Sequence, residues 1–344
     1  MSPQEDLSMM LTVLMPVFNG GIYLKDSIQS ILDQTFSNFE LLIINDGSTD
    51  DSVATIKSID DSRIRLIDNQ QNQGLIATLN AGLALAKGKY IARQDADDIS
   101  LPTRFEREIA ILEADPDIAL VGTNAIIIDK NSKPVGKSTL PSDDVEIRFR
   151  LLFKCGIFHT SVIFRKAVLD AHQLSYRADY IHVEDYKLWS EISRYGKLHM
   201  IADNLIHYRA HASSISSRFK KQQEMNAALV AQENISQLNI NLSVEKAERL
   251  RNHFRTIKTT SDFIEEDIST FLEIIARFEQ KYNHEAAAKK QPAKLMQRMT
   301  RWIAKKDLYQ WNLLKLYLAL HCKLLINYNK LFDKEIQENL NDLQ

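Results

Sequence analysis

Three carboxylates stand within four residues at Asp95, Asp97 and Asp98, directly after the apolar run Tyr90-Ile91-Ala92 and the polar pair Arg93-Gln94. With Asp95 taken as the last residue of a strand, alternation places Asp95 and Asp97 on one side of the backbone. Carboxylates held that close repel unless a cation or a proton sits between them. A hard divalent ion, Mg2+ or Mn2+, suits oxygen ligands, and a substrate's phosphates usually complete its shell. The same residues also fit a solvated loop or an N-cap for a helix starting near Leu101-Pro102. A second acidic pair, Glu184-Asp185, opens a helix whose apolar face contains Leu188, Trp189 and Ile192. Acids in a first helical turn are favoured by the helix dipole alone. Further along, Arg209 can offer a fixed fork of donors to a diphosphate, and His211 can bind metal or phosphate.

The elements that must position these residues can be read from hydrophobic periodicity. Leu11 to Pro16, Phe39 to Ile44, Ile64 to Ile67 and Tyr90 to Ala92 are short apolar runs, and each of the first three is followed by a helical pattern. Such alternation predicts an α/β fold, a mostly parallel sheet with helices on both faces. Each strand ends in polar groups at its C-terminal edge: Asn19, Asp46, Asp68 to Asn72, then Asp95 and Asp97. Open α/β sheets bind ligands along that edge, so residues far apart in sequence are expected in one crevice. Ser48 or Thr49 can cap the helix running through Val53 and Ile56. No GxGxxG follows the first strand and no GxxxxGK[ST] occurs, which argues against a dinucleotide-binding domain and a P-loop nucleotidase. Asp46 remains able to reach a base or ribose hydroxyl. Beyond Ala92, Ile118 to Ile128 reads as a strand broken by Gly122, and the polar turn Lys130 to Pro134 predicts a hairpin. Asp143 to Phe153 has helical periodicity, and Phe158 to Arg165 reads as a strand with a polar front.

At 344 residues the chain suits one large domain with an extension, and its net charge of -2 shows no bias toward nucleic acid. Cys155 and Cys322 lack metal-ligand or CxxC spacing, which favours free thiols in a reducing compartment, that is, a cytoplasmic location. Met1 to Met10 is polar and acidic, unlike a secretory signal, and no run of 18 apolar residues is present. After Arg218 the composition turns to helix-forming residues without glycine, so residues 1–217 are expected to form one domain and 218–344 an all-helical extension. Lys289, Lys290, Lys294, Arg298, Arg301, Lys305 and Lys306 flank an apolar face of Leu295, Met299, Trp302 and Ile303. That pattern fits either a packed helix with a solvated basic side or, across 289–323, a helix lying on an anionic membrane surface.

Four motifs then carry a resemblance: Leu14-Met15-Pro16-Val17-Phe18-Asn19, Ile43-Ile44-Asn45-Asp46-Gly47-Ser48-Thr49-Asp50, Asn72-Gln73-Gly74 and Asp95-Ala96-Asp97-Asp98. In this order and spacing the chain, from about Leu11 to Ser217, resembles glycosyltransferase family 2, inverting enzymes of the GT-A nucleotide-sugar fold. The resemblance implies a nucleoside diphosphate sugar donor, with uridine diphosphate preferred as the carrier, and Mn2+ or Mg2+ as cofactor. It puts Pro16, Val17, Asn19, Asp46 and Asn72 around the nucleotide, Arg93 and Gln94 beside the ribose or sugar, and Asp95 and Asp97 at the metal-diphosphate. Arg209 and His211 match the end of many family 2 catalytic domains and are expected at the diphosphate and metal. Inverting transfer needs one base to take the acceptor's proton; the resemblance assigns Asp185, with Glu184 orienting it or the acceptor. His159 fits a core histidine or an acceptor contact, and Trp189 fits core packing better than sugar stacking. The acceptor is expected to be a glycan or lipid-linked hydroxyl, met in the cytoplasm or at the cytoplasmic membrane face. Two other classes share parts of this pattern. A sugar-phosphate nucleotidyltransferase would need a cation in the first loop, which Val17 to Gly21 lacks, and a non-catalytic nucleotide-sugar scaffold could dispense with the acids that are present here.

Overall fold

The computed structural model describes residues 9–210, 219–256 and 265–286. His211, Cys322 and the basic segment 289–323 lie outside these residues. The strands β1 (Leu11–Val17), β2 (Phe39–Asp46), β3 (Ile64–Asn69) and β4 (Tyr90–Arg93) run parallel in the order β3-β2-β1-β4. Crossovers are supplied by α1 (Leu24–Leu32), α2 (Ser52–Lys57) and α3 (Leu75–Leu85). The apolar runs are continuous because the sheet is buried on both faces. Along β1, Val13 and Met15 pack with α1, while Leu14 faces the opposite cluster with Leu79 of α3. Each fully buried side chain of this size contributes about 1.5–3 kcal/mol.

After β4 the chain forms β5 (Ile99–Ser100), α4 (Arg104–Ala114), β6 (Ile118–Ile128), β7 (Pro134–Lys137) and α5 (Asp144–Leu151). Then come β8 (Val162–Arg165), α6 (Lys166–His172), α7 (Glu184–Ile192) and β9 (Lys197–Arg209). β8 is antiparallel to both β4 and β6, β9 is parallel to β6, and β5 is antiparallel to β9. The α/β sheet is therefore mixed, with the parallel half expected from the sequence joined to an antiparallel insertion. The predicted hairpin is present as β6 and β7.

Several local expectations change. Strand β4 ends at Arg93, and residues 96–97 form a turn, so strand alternation does not place Asp95 and Asp97. Gly122 does not break β6; a Cβ there would stand 2.8 Å from Met200 Cε, so the glycine admits a side chain of the neighbouring strand. Only Val162–Arg165 of the 158–165 stretch is strand, because His159–Ser161 forms a 3-10 turn. Neither Ser48 nor Thr49 caps α2; the N-cap position is Asp51, without a side-chain bond. The Ser48 hydroxyl is taken by the Asn19 amide instead.

The chain divides into two compact units after Val230, inside α8 (Lys220–Ser236), later than the change of composition at Arg218 suggests. The second unit contains α9 (Val244–Thr256) and α10 (Glu265–Ala286), with Leu250, Ile274, Ile275 and Phe278 buried and Arg249 paired to Asp267 at 2.9 Å. Among the described residues no helix is long and apolar enough to cross a membrane.

One buried ion pair fixes the junction between β4, β5 and β8. Arg104 and Glu108 on α4 are both fully buried and meet at 2.9 Å. The remaining Arg104 donors reach Gln94 Oε1, Ser100 Oγ and the carbonyls of Arg93 and Val162. Burial pushes the Glu108 carboxyl up, while the charge and hydrogen bond of Arg104 pull it down. Removing one partner of such a pair strands the other in an apolar interior. Arg104→Met is therefore expected to lower unfolding free energy by about 3–5 kcal/mol in urea denaturation. An unchanged midpoint would show that the network does not support the junction.

Candidate active site

The acidic turn is built from beneath. Gln94 is fully buried, and its amide nitrogen donates to Ser27 Oγ and to the carbonyls of Asp95 and Asp98, the last at 2.9 Å. Its oxygen accepts from Ser100 and Arg104. Gln94 is thus a bracket inside the turn, and its burial corrects its expected place beside the ribose. Arg93 is also buried and pairs with Asp95 Oδ1 at 2.6 Å. Asp98 is buried, with one oxygen accepting from the Arg209 amide at 2.7 Å. Burial, reinforced by the charges of Asp95 and Asp97, pushes its carboxyl well above the usual range. Asp95 and Asp97 stay partly exposed.

Arg209 closes the bracket from β9. It is 2% exposed, it lies 4.1 Å above the Tyr23 ring, and its guanidinium donates to Asp97 O, Asp129 O and Ser132 Oγ. These bonds correct the expectation of a fork open to a diphosphate: the guanidinium shapes the turn that carries Asp97.

On the other side of β1 the three remaining motifs are tied together. Pro16 and Val17 are buried within β1, so their side chains do not line the edge; Phe18, which follows, is 51% exposed. Asn19, at a φ of 51°, accepts from the Thr49 amide through Oδ1 at 2.8 Å. Asp46 is buried, and its two oxygens accept from the amides of Gln73 and Gly74, each at 2.9 Å. Gly47 has a φ of 71°, and a Cβ there would stand 2.6 Å from the Asn72 nitrogen, so only glycine lets the two loops touch. Asn72 itself is exposed beside this junction. The expected nucleotide residues therefore gather at one sheet edge, but Asn19 and Asp46 use their side chains to join its loops.

Opposite the acidic turn, α7 presents Glu184 and Asp185 in its first turn. Burial is the main cause that raises both carboxyls, Glu184 to about 7 and Asp185 to about 6. Asp95 adds to both shifts and Arg93 opposes both, which places 93–95 and 184–185 in one electrostatic neighbourhood. Asp185 Oδ1 accepts from the Tyr186 amide at 2.6 Å. A carboxylate titrating near 6 is deprotonated at neutral pH and basic enough to take a proton as an oxygen attacks.

The candidate acceptor residues separate. Trp189 is 0% exposed and packs among Phe164, Tyr176 and His159. It is core, and stacking on an acceptor sugar is ruled out by its burial. His159 keeps partial exposure and meets Tyr176 Oη at 2.9 Å through Nε2. Residues the sequence did not single out include Tyr176, Thr160, which accepts from the Asp95 amide at 3.2 Å, and Ser27, which donates to the Asp95 carbonyl at 2.8 Å. Their roles come from contacts more than sixty residues apart in sequence for Thr160 and Ser27, and no local pattern marks them.

The family model for Glycosyl transferase family 2 matches residues 12–172. An uncharacterized glycosyltransferase of Haemophilus influenzae is 36% identical over 238 residues, which cover 66% of this chain and 73% of that protein. The Escherichia coli protein WfgD, a UDP-Glc:alpha-D-GlcNAc-diphosphoundecaprenol beta-1,3-glucosyltransferase, is 33% identical over 216 residues, 62% of this chain and 82% of its own. Among solved structures, S. aureus TarS residues 1–349 in complex with UDP-GlcNAc superposes with a TM-score of 0.57 at 16% identity, covering 78% of this chain and 82% of TarS, a likeness of fold. The chain belongs to glycosyltransferase family 2 and is a glycosyltransferase.

Proposed function

We propose that the chain moves a sugar from a uridine diphosphate sugar to a hydroxyl of a lipid-linked or other glycan acceptor, with inversion and with a divalent metal at the diphosphate. The observation that carries this reading is the meeting of two acidic groups of different character, the partly exposed Asp95-Asp97 turn and the more basic Glu184-Asp185 pair, of which Glu184 is buried and Asp185 half-buried. The E. coli relative is named for a UDP-glucose donor and a diphosphoundecaprenol-linked acceptor, which supports these substrate classes here. The catalytic work is assigned to the unit ending at Val230, which contains every one of these residues.

The acidic turn fits a metal held jointly with a ligand. Asp98 is buried and bonded to a backbone amide, and Asp95 is shared with Arg93; Asp95 and Asp97 keep the partial exposure that a ligand's metal needs. Among the described residues no group of three or more His, Cys, Asp or Glu is disposed to hold a metal by itself. Mn2+ or Mg2+ would therefore draw further oxygens from the donor diphosphate. When bound, it supplies positive charge where the departing diphosphate gains negative charge. Asp185 takes the proton from the acceptor hydroxyl as that oxygen attacks the anomeric carbon from the side opposite the diphosphate. Glu184, coupled to it, influences that protonation. Arg93 pairs with Asp95 and its charge also favours the ionised forms of Glu184 and Asp185.

Two outcomes are expected. Asp97→Asn abolishes the Mn2+-dependent gain in UDP affinity while leaving the melting temperature nearly unchanged; an unaltered Mn2+ dependence in calorimetry would remove Asp97 from the metal site. Asp185→Asn lowers turnover by about 100- to 10,000-fold with donor affinity retained. Because burial raises the Asp185 carboxyl to about 6, wild-type kcat/KM falls as pH drops through that value and Asp185 becomes protonated. That acidic limb should vanish in the residual activity of Asp185→Asn, and its persistence would point to another base.

A further inference from the structure

His159 opens the 3-10 turn His159–Ser161, and this turn touches both halves of the site. Its next residue, Thr160, accepts the Asp95 amide at 3.2 Å. The His159 ring meets Tyr176 Oη at 2.9 Å, and that hydroxyl lies within reach of the charges of Asp185, Glu184 and Asp95. In a single displacement the anomeric carbon lies between the departing diphosphate and the attacking oxygen. A group that bridges those two places therefore borders the sugar being transferred.

The imidazole is prepared for one kind of contact. Nε2 meets Tyr176 Oη at 2.9 Å, and Tyr176 is held rigidly, its backbone clamped by Asn80 through two bonds of 2.8 and 2.9 Å. The Tyr176 hydroxyl has no other partner among the described residues, so donation to Nε2 is the arrangement that satisfies its proton. The ring proton of a neutral imidazole then resides on Nδ1. That nitrogen has no protein partner among the described residues, and it is not among the buried polar atoms cut off from solvent. Burial and the nearby Arg93 charge hold the His159 pKa well below its ordinary value, so the ring stays neutral at pH 7.

We propose that His159 presents its Nδ1–H to a hydroxyl of the transferred sugar, with Tyr176 as the positioning residue that fixes the tautomer. The inference rests on the donor assignment made above. It makes His159 a determinant of sugar recognition, distinct from the residues that hold the nucleotide.

Calorimetric titration of the full chain with UDP and with UDP-glucose, both in Mn2+, separates the two. For His159→Leu, which keeps an apolar side chain but no donor, UDP affinity should stay within about twofold and UDP-glucose affinity should fall by about 5- to 10-fold, the worth of one neutral hydrogen bond. His159→Asn places an amide N–H near the Nδ1 position and should recover most of that loss, which a purely structural role would not. The proposal is overturned if both ligands weaken equally, if UDP-glucose affinity is unchanged in His159→Leu, or if Asn behaves as Leu does. Unfolding of both variants would likewise overturn it, by showing the histidine to be a core residue. Wild-type protein that binds neither probe would strike the donor assignment itself, and so is distinguishable from a failure of the histidine alone.

Discussion

The polar groups of Arg93, Gln94, Asp98 and Ser100 are buried where β4 ends and β5 begins, and a buried polar group needs a partner. Three side chains drawn from different elements supply most of those partners, leaving Arg93 Nε and one Asp98 oxygen without one among the described residues. Gln94 turns back into its own loop, Arg104 rises from α4, and Arg209 crosses from β9. Half of their bonds go to backbone carbonyls and none goes to the Asp95 or Asp97 carboxylate. The Arg93–Asp95 contact leaves Asp95 partly exposed while compensating its charge.

Charge compensation then links this turn to the opposite wall. At the start of α7 Glu184 is buried and Asp185 half-buried, and the charge of Asp95 adds to their difficulty in ionising, while Arg93 relieves it. One buried guanidinium therefore serves two acidic sites. The two sites differ in basicity, which accords with the proposed roles, a diphosphate with its metal at one and proton transfer at the other. The His159–Ser161 turn joins them mechanically, through the Thr160 contact on one side and the aromatic packing of Trp189 on the other.

The parallel half of the sheet was readable because its apolar runs, buried on both faces, are separated by amphipathic helices of ordinary length. The acidic turn and the Glu184-Asp185 pair stood out because clustered carboxylates are costly without a purpose. What sequence could not show was the difference between a polar residue at a ligand and one beneath it. Gln94, Arg209, Asn19 and Asp46 sit in the right motifs, yet each spends its side chain on loop backbone. Trp189 and Tyr176 are similar in kind, but one is sealed in the core and the other ends in a hydroxyl against His159. Those distinctions arise from contacts of long sequence separation, such as Arg209 of β9 reaching the turn after β4 and Asp46 reaching the loop before α3, that no local pattern encodes.

In the proposed mechanism one base faces a departing diphosphate, which calls for a single displacement, and the configuration of the product reports it directly. Proton NMR during turnover of UDP-α-D-glucose with water as acceptor, read before mutarotation, distinguishes the two anomers. Glucose released first as the β anomer is the result predicted by attack from the Asp185 side. Initial release of the α anomer would contradict it, because retention demands a second displacement or attack from the same face as the diphosphate.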